Sequence, residues 1–184
     1  AAGVTAIVMC PRNGDVLAMA NLPTFDPRHP GDFVASARRN RAVTDTFEPG
    51  STFKAVTVAG ALNEGLVTLR NQFHCENGRF KYAGRILHDH HPYGMLTVEK
   101  IITKSSNIGA AKVAMRLGAP RLHQYIEDFG FGSRTGISLS GEVAGIFHPL
   151  KKWSKISITR VPMGHEVAGT PLQIVMMMSA IANG

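Results

Sequence analysis

A serine and a lysine three positions apart, Ser51 and Lys54, are the pair in this 184-residue chain best suited to chemistry. They follow the turn-forming dipeptide Pro49-Gly50 and open a run, Thr52 to Leu62, with apolar residues at helical spacing. Residues i and i+3 share a helix face, so the lysine amine should lie beside the serine hydroxyl. An amine whose pKa is lowered by burial or by nearby positive charge can take the serine proton. The alternative interpretation is that Ser51 only caps the helix.

A second polar cluster, Ser105-Ser106-Asn107, interrupts a stretch from Leu96 to Leu117 whose apolar residues otherwise have helical periodicity. Ser and Asn at such a junction are ordinary helix caps. In a catalytic interpretation, a serine here relays a proton between Lys54 and a leaving group. The Asn amide would then hold Lys54 or a substrate carbonyl. Both clusters therefore point to nucleophilic chemistry, with N–H groups at a helix N-terminus available for a developing oxyanion.

Composition and charge bound the class of protein. The chain is 44% hydrophobic, which fits one globular domain with a core, and it carries a formal charge of +7. The basic residues are scattered, apart from Arg38-Arg39-Asn40-Arg41 and Lys151-Lys152, and no aromatic residues are interleaved with them. We therefore expect a solvated basic surface and no nucleic-acid partner. These residues contain neither a membrane-span pattern nor a signal peptide, and the start without Met suggests a fragment of a longer protein.

Potential metal ligands occur in patterns that do not favour a metal site. His88-Asp89-His90-His91 are adjacent in sequence, and adjacent residues seldom converge on one ion. His165-Glu166 lacks a second His four residues later. The two cysteines have no CxxC spacing, and Cys10 is expected to be buried in a strand. We therefore expect no metal and no cofactor.

The remaining elements follow from periodicity and turn signals. Asn13-Gly14 between the apolar runs Val4–Met9 and Val16–Ala20 predicts an antiparallel hairpin. Thr170-Pro171 predicts a helix start before the apolar run 172–182. Further expectations are an irregular proline-rich segment over 21–30, a helix or ordered loop over 32–44, strand-like pieces over 67–94, and an amphipathic helix over 119–129.

The two polar clusters and their flanks resemble the transpeptidase domain of class B penicillin-binding proteins, the cell-wall D,D-transpeptidases of elongation and division. Residues 48–54 match the active-serine motif of that family, and Ser105-Ser106-Asn107 matches its Ser-x-Asn motif. Similarity extends over essentially all 184 residues, through segments 14–23, 41–45, 130–142 and 163–173. The resemblance implies an α/β (α+β) fold of the penicillin-binding protein and serine β-lactamase type. In that fold an antiparallel sheet adjoins a helical subdomain, and residues 1–184 would be a partial transpeptidase domain.

The third motif of the family, Lys-Thr/Ser-Gly on a cleft strand, does not occur in this sequence. Arg134-Thr135-Gly136 is similar in composition, but its position fits the intervening loop of the family and not the cleft strand. We therefore expect the C-terminal strands of the sheet to be missing from residues 1–184. Residues 1–184 alone are therefore expected to form an incomplete active site.

The mechanism that the resemblance implies is acyl transfer. Lys54 would take the proton of Ser51 as Ser51 attacks the D-Ala-D-Ala end of a peptidoglycan stem peptide. Ser105 would pass the proton to the leaving D-alanine, and Asn107 would orient Lys54 and the acyl chain. The site residues implied by the resemblance are Ser51, Lys54, Ser105 and Asn107 as catalytic residues, and Gly50 and Ser106 as substrate-binding residues.

The resemblance also implies partners and a location. Stem peptides would be the substrates, β-lactam antibiotics would acylate Ser51, and a glycan-polymerising membrane protein would be a partner. The expected location is the outer, periplasmic face of the cytoplasmic membrane, with an N-terminal anchor and a non-catalytic domain upstream.

Two alternatives remain open. One is a serine β-lactamase or β-lactam sensor of the same fold. Related class A enzymes have Asp at the position of Ser106, and class D enzymes and sensors have an aliphatic residue at that of Asn107. The other alternative is a non-catalytic binding module, which is consistent with the absence of the third motif.

Overall fold

The structure, a computed structural model, describes residues 3–184, which form two compact units built from non-contiguous segments. The first unit consists of residues 3–47, 129–146 and 169–184. The second consists of residues 48–128 and 147–168 and contains both polar clusters singled out above.

A hairpin opens the first unit. Strand β1 (Val4–Met9) pairs antiparallel with β2 (Val16–Leu22), from Val4 opposite Leu22 to Met9 opposite Val16. Gly14 in the connecting turn has φ of +77°, a conformation that glycine adopts without steric cost. The hairpin predicted from Asn13-Gly14 is confirmed.

Two helices pack beside this hairpin in the first unit. They are α1 (Arg41–Thr44) and α7 (Pro171–Asn183), and two 3-10 turns at Pro30–Asp32 and Ala35–Ala37 precede α1. Thr170 and Gln173 form a reciprocal capping box at the start of α7, which satisfies backbone N–H groups that a helix leaves unpaired. The predicted helix start at Thr170-Pro171 is therefore confirmed. The core of this unit joins Ala42, Val43 and Leu172 with side chains from both strands.

Helices dominate the second unit. They are α2 (Lys54–Asn63), α3 (Val98–Thr103), α4 (Asn107–Leu117), α5 (Ala119–Asp128) and α6 (Ser157–Arg160). Helix α4 packs against α2, α3, α5 and α6. Gly109 makes the close contact with α3 possible, because a Cβ there would lie 2.5 Å from a side-chain carbon of Ile101. The buried side chains around this packing include Val58, Ala61, Val98, Ile101, Ala110 and Val113.

Short strands and 3-10 turns connect these helices. Strand β3 (Gln72–His74) pairs antiparallel with β6 (Met95–Thr97), and β4 (Arg79–Tyr82) with β5 (Arg85–His88). Strands β7 (Ile146–Phe147) and β8 (Val167–Ala168) are two residues long. The 3-10 turns are Gly50–Phe53, Glu76–Gly78, Leu150–Lys152 and Val161–Met163.

The predicted mixture of helices and antiparallel strands is confirmed, as is the break between α3 and α4 at the Ser105 cluster. Two finer expectations are wrong. Cys10 follows β1 instead of lying inside it and is partly exposed, because β1 ends where the turn begins. Ile102, one of the apolar residues in the periodic stretch from Leu96 to Leu117, is 41% exposed, because α3 is only six residues long and buries Val98 and Ile101.

Candidate active site

Ser51 lies in the 3-10 turn Gly50–Phe53, which continues directly into α2 at Lys54. In a 3-10 helix the side chains at i and i+3 eclipse, so the turn aligns Ser51 with Lys54. The distance from Lys54 Nζ to Ser51 Oγ is 3.0 Å. Ser51 is not a helix cap, since the cap position belongs to Pro49. The capping interpretation of Ser51 is therefore wrong, and its exposed hydroxyl is in contact with an amine.

A carboxylate and a close backbone contact hold the chain in front of Ser51. Glu48 Oε2 lies 2.8 Å from His165 Nδ1, and Glu48 Oε1 accepts a hydrogen bond from the Glu166 amide at 3.0 Å. Both hydrogen bonds lower the pKa of Glu48, and the one with His165 has the larger effect. Gly164 packs so closely on Gly50 that a Cβ at Gly164 would lie 2.3 Å from the Gly50 carbonyl oxygen. The sequence analysis gave neither Glu48 nor His165 a role.

Lys54 is the centre of the polar cluster. Its side chain is only 2% exposed, and Nζ lies within 3.0 Å of four oxygen atoms. Besides Ser51 Oγ at 3.0 Å, they are the Ser105 carbonyl oxygen at 2.7 Å, Ser105 Oγ at 2.8 Å and Asn107 Oδ1 at 2.8 Å. The structure thus brings together the four residues that the sequence analysis placed in catalytic roles.

The chemistry of these four oxygens suits an uncharged amine. A neutral amine has two hydrogens and one lone pair. The Ser105 carbonyl and the Asn107 amide oxygen can only accept hydrogen bonds, so they can take both hydrogens. The lone pair is then free to accept a hydroxyl proton from Ser51 or Ser105. The arrangement can therefore deprotonate a serine without rearranging its neighbours.

Burial lowers the pKa of Lys54 from 10.5 to about 8. The negative charge of Asp89 opposes that effect and raises the pKa, but less strongly. Of the two causes considered from the sequence, burial and nearby positive charge, burial is the one that acts. A pKa near 8 leaves an appreciable fraction of the amine neutral at physiological pH, as a general base requires.

Ser105 reaches Lys54 because the chain adopts a left-handed conformation between α3 and α4. Its φ is +54°, which is uncommon for a residue other than glycine. The amide of Ser105 donates to the Ile102 carbonyl at 3.0 Å, and that of Ser106 donates to the Ile101 carbonyl at 3.0 Å. The left-handed turn directs both the carbonyl and the hydroxyl of Ser105 towards Lys54 Nζ.

Ser106 has a different task from its neighbour. It is completely buried and caps α4, accepting a hydrogen bond from the Gly109 amide at 2.9 Å. Its hydroxyl donates to Asp89 Oδ2 at 2.7 Å and lies 3.4 Å from Cys75 Sγ. The substrate-binding assignment of Ser106 is therefore corrected to a structural one, because this side chain has no exposed surface to offer a ligand.

The Asn107 amide is oriented by two partners. Its Nδ2 donates to the His88 carbonyl at 3.0 Å, and its Oδ1 accepts from Lys54 Nζ at 2.8 Å. Because the carbonyl of His88 can only accept, Nδ2 must face it, and the oxygen is left for the lysine. Asn107 thus contacts Lys54, one of the two roles considered for it from the sequence.

Asp89 is the principal residue of the cluster that sequence reasoning missed. Its Oδ1 accepts hydrogen bonds from the backbone N–H groups of Asn107 and Ile108, and its Oδ2 accepts a hydrogen bond from Ser106 Oγ. The sequence analysis considered Asp89 only as part of a possible metal-binding run. Within residues 3–184, no group of three or more His, Cys, Asp or Glu side chains could hold a metal ion.

Gly50 and the segment around Arg134 complete the picture. Gly50 has φ of +58°, and apart from Gly50 itself and its chain neighbours Pro49 and Ser51, no heavy atom lies within 4 Å of the position that its Cβ would occupy. Arg134-Thr135-Gly136 lies in a loop and not in a strand, and Glu142 accepts hydrogen bonds from the Thr135 and Gly136 amides. Its environment differs from that of a cleft-strand motif, in agreement with its rejection as the third motif.

Comparison with known proteins supports the same interpretation. A family model, the penicillin binding protein transpeptidase domain, matches residues 4–184. The chain is 38% identical to stage V sporulation protein D of Bacillus subtilis over 185 residues, covering 99% of this chain and 29% of that protein. It is 34% identical to the probable peptidoglycan D,D-transpeptidase PenA of Neisseria gonorrhoeae, covering 97% of this chain and 30% of that protein.

The fold also matches solved structures. The crystal structure of penicillin binding protein 3 of Mycobacterium tuberculosis, complexed with aztreonam, superposes with a TM-score of 0.89 at 35% identity. That match covers 98% of this chain and 41% of the other. The chain spans about three-tenths of the length of the two curated relatives. With a family model over nearly its whole length, and as its resemblance to class B penicillin-binding proteins predicted, the chain belongs to the penicillin-binding protein transpeptidase family.

Proposed function

We propose that the protein carrying this chain is a peptidoglycan D,D-transpeptidase that works through an acyl-enzyme on Ser51. The observation that supports this most directly is the buried amine of Lys54, 3.0 Å from Ser51 Oγ, with a pKa lowered to about 8. A serine hydroxyl is a weak nucleophile until such a base removes its proton. The names of the relatives point to the same reaction.

The first half-reaction forms the acyl-enzyme. Ser51 Oγ attacks the carbonyl carbon of the penultimate D-alanine of a stem peptide while its proton passes to Lys54 Nζ. The peptide C–N bond then breaks, and the leaving D-alanine amine receives a proton from Lys54 by way of Ser105 Oγ. Ser105 suits this relay because its hydroxyl lies 2.8 Å from the same nitrogen.

The second half-reaction transfers the acyl group. An amine of a neighbouring stem peptide attacks the ester carbonyl and loses a proton to the lysine and serine relay. The C–O bond to Ser51 then breaks and its hydroxyl is restored. The product is a peptide cross-link, and Asn107 keeps Lys54 in place throughout.

The oxyanion of both half-reactions lies near the backbone of Ser51. N–H groups in the first turn of a helix lack intrahelical acceptors, so the Ser51 amide can donate to the oxyanion. By resemblance, a second donor belongs to the cleft strand with the Lys-Thr/Ser-Gly motif, which the 184 residues do not include.

β-Lactams are the proposed inhibitors, because opening of their ring by Ser51 gives a comparable ester. A β-lactamase of the same fold needs a carboxylate or another base that activates water. Asp89, the carboxylate in this network, already accepts three hydrogen bonds from the start of α4. Slow deacylation, and hence durable inhibition, is therefore the expected behaviour.

The resemblance supports a reaction at the cell wall, outside the cytoplasm. We further propose an N-terminal anchor in the cytoplasmic membrane and a glycan-polymerising membrane protein as partner. Across residues 3–184, no helix is both long and apolar enough to cross a bilayer.

Intact mass spectrometry of the full-length protein after incubation with a penicillin tests the proposal. One adduct per protein molecule is expected, lost in Ser51→Ala and retained in Ser140→Ala, an exposed serine that serves as the matched control. Continued release of hydrolysed nitrocefin over many cycles would instead identify a β-lactamase. Absence of any adduct on the folded protein would favour a non-catalytic binding module.

A further inference from the structure

We propose that Asp89 is a positioning residue for this acyl transfer, because its carboxylate holds the first turn of α4 and thereby the Ser105 and Asn107 oxygens that contact Lys54. The inference rests on the proposed function and adds a residue to it. Asp89 does not contact Ser51 or Lys54 directly through any of its hydrogen bonds. It acts through the residues that it holds.

The carboxylate of Asp89 is bound by three donors at one helix end. The backbone N–H groups of Asn107 and Ile108 donate to Oδ1, with a distance of 3.0 Å for Ile108. Ser106 Oγ donates to Oδ2 at 2.7 Å. The first amides of a helix have no intrahelical acceptors, and a negative charge is favoured at that end. Asp89 therefore fixes where α4 begins, which is the position of Asn107.

The segment that Asp89 holds would not keep its conformation unaided. Ser105 has φ of +54°, and a left-handed residue with a side chain persists only where its surroundings impose that conformation. The next residue, Ser106, donates to Asp89, and the one after it, Asn107, donates through its amide. Loss of the carboxylate would let this turn relax and move the Ser105 carbonyl and hydroxyl away from Lys54 Nζ.

Asp89 is itself firmly placed. Its amide donates to the Gly78 carbonyl at 3.2 Å. A Cβ at Gly78 would lie 3.1 Å from both the His91 carbonyl oxygen and Pro92 Cα, so this turn packs directly on the segment that follows Asp89. The residue before it, His88, accepts from Asn107 Nδ2 at 3.0 Å. One short segment thus holds Asn107 from two sides.

Asp89 also acts on Lys54 through its charge. It raises the pKa of the lysine, against the larger lowering caused by burial. The other groups in contact with Lys54 Nζ, from Ser51, Ser105 and Asn107, are uncharged.

On the Asp89 side, Ser106 Oγ also lies 3.4 Å from the Cys75 thiol, whose pKa is raised chiefly by burial. Lys112 on α4 is paired with Glu76. Exposed His88 and His90 flank Asp89 in sequence. Removing the charge of Asp89 should therefore lower the pKa of Lys54 further.

The test measures the second-order rate constant of acylation by a fluorescent penicillin between pH 6 and pH 10 in the full-length protein. Asp89→Asn, Asp89→Ala and Asp89→Glu are compared with Asp32→Asn, a matched control at an exposed aspartate. Asp89→Ala should lower the plateau rate constant about 100-fold, the effect of misplacing catalytic groups by about 1 Å. Asp89→Glu should restore part of that loss. Asp89→Asn should move the midpoint of the rate profile to lower pH, which loss of stability alone would not do.

The outcomes separate the two proposals. A wild-type protein that is not acylated overturns the proposed function and this inference with it. A wild-type protein that is acylated, with Asp89→Ala within twofold of its plateau rate, overturns the inference alone. If Asp89→Ala does not fold, Asp89→Asn decides, because its Nδ2 cannot accept the hydrogen bond from Ser106 Oγ. A plateau rate constant for Asp89→Asn within twofold of that of the wild type and of Asp32→Asn contradicts the positioning role.

Discussion

The start of α4 and the turn that leads into α2, both in the second unit, use their serines in opposite ways. At the start of α4, Ser106 is buried and caps the helix, with its hydroxyl bonded to the Gly109 amide and to Asp89. At the turn that leads into α2, Pro49 occupies the cap position, and the hydroxyl of Ser51 is exposed and in contact with Lys54. Ser105, one residue before the cap, also directs its hydroxyl to Lys54.

The difference shows how the same residue type is made structural or reactive. A serine at the cap position accepts a hydrogen bond from a backbone N–H group of the helix, so its hydroxyl oxygen is already occupied. A serine one position away from a cap, or in a 3-10 turn whose cap position belongs to another residue, keeps its hydroxyl free to meet a base. Four experiments test whether this contrast holds, in order of decreasing expected effect.

Removal of the amine should have the largest effect. Lys54→Met keeps most of the side-chain volume but leaves Ser51 without a base, so the rate constant of penicillin acylation should fall about 1,000-fold or more. Lys155→Met, at an exposed lysine, is the matched control and should react like the wild type. Stopped-flow measurement with a fluorescent penicillin gives both values. A Lys54→Met variant with a tenth of the wild-type rate would contradict the assignment of Lys54 as base.

The same variant should reveal what the buried amine does to stability. The pKa of Lys54 falls from 10.5 to about 8 on folding, so between these pH values the unfolded state binds more protons and stability rises with pH. Relative to Lys54→Met, the wild type should therefore gain about 3 kcal/mol of unfolding free energy between pH 8 and pH 10.5. Below pH 8 the penalty is fully present.

Urea unfolding of both proteins at pH 7.5 and pH 10.5 measures this change. Comparison at each pH cancels the titration of all other groups, and Lys155→Met provides the baseline for an exposed lysine. A constant difference between wild type and Lys54→Met would show that the folded amine titrates near its ordinary pKa.

A carboxylate in place of the Asn107 side-chain amide should change how the acylation rate depends on pH. In Asn107→Asp, a negative charge replaces the oxygen that lies 2.8 Å from Lys54 Nζ, so the pKa of Lys54 should rise by about one unit or more. Because the neutral amine is the base, the acylation profile moves to higher pH, and the rate at pH 7 falls about tenfold. This shift is opposite in sign to that expected for Asp89→Asn. A profile for Asn107→Asp that moves to lower pH would contradict the proposed role of the Lys54 pKa.

The smallest expected effect is the difference between alanine substitutions of the two adjacent serines, Ser105 and Ser106. Ser106→Ala removes a helix cap and should lower the free energy of unfolding by about 1 to 2 kcal/mol, while acylation stays within about tenfold of wild type. Ser105→Ala should do the reverse, with near wild-type stability and slower acyl transfer. Thermal unfolding and acylation kinetics of the pair measure both effects. Equal losses of stability in the two variants would break the distinction.

Local sequence rules predicted much of the site. The spacing of Ser51 and Lys54 needs only a helical turn to bring them together, and both α and 3-10 geometry satisfy that need. The break between α3 and α4 was visible because Ser105-Ser106-Asn107 interrupts an apolar period. The hairpin at Asn13-Gly14 and the cap at Thr170 depend on equally local preferences.

The contacts that sequence reasoning missed are those between segments distant in the chain. Asp89 lies 17 residues before Ser106, and Glu48 lies 117 residues before His165, with no periodicity to connect either pair. Asp89 also stood in a histidine-rich run that suggested a different kind of site. Such pairings depend on how whole helices, strands and loops pack together. The sequence pattern within one element carries no information about that packing.

The sequence by itself predicted that Ser51 and Lys54 share one helical face, because a spacing of three residues is local information. Its resemblance to the transpeptidase family supplied the proposed roles of these two residues and of Ser105 and Asn107. Only the tertiary structure decided which serine became a cap and which kept a free hydroxyl. It also decided that Lys54 is buried enough for a pKa near 8, and that Asp89 supports the second cluster. The physical reason is that burial and the partners of a hydrogen bond are set by the packing of distant segments, while side-chain type and helical spacing are set residue by residue.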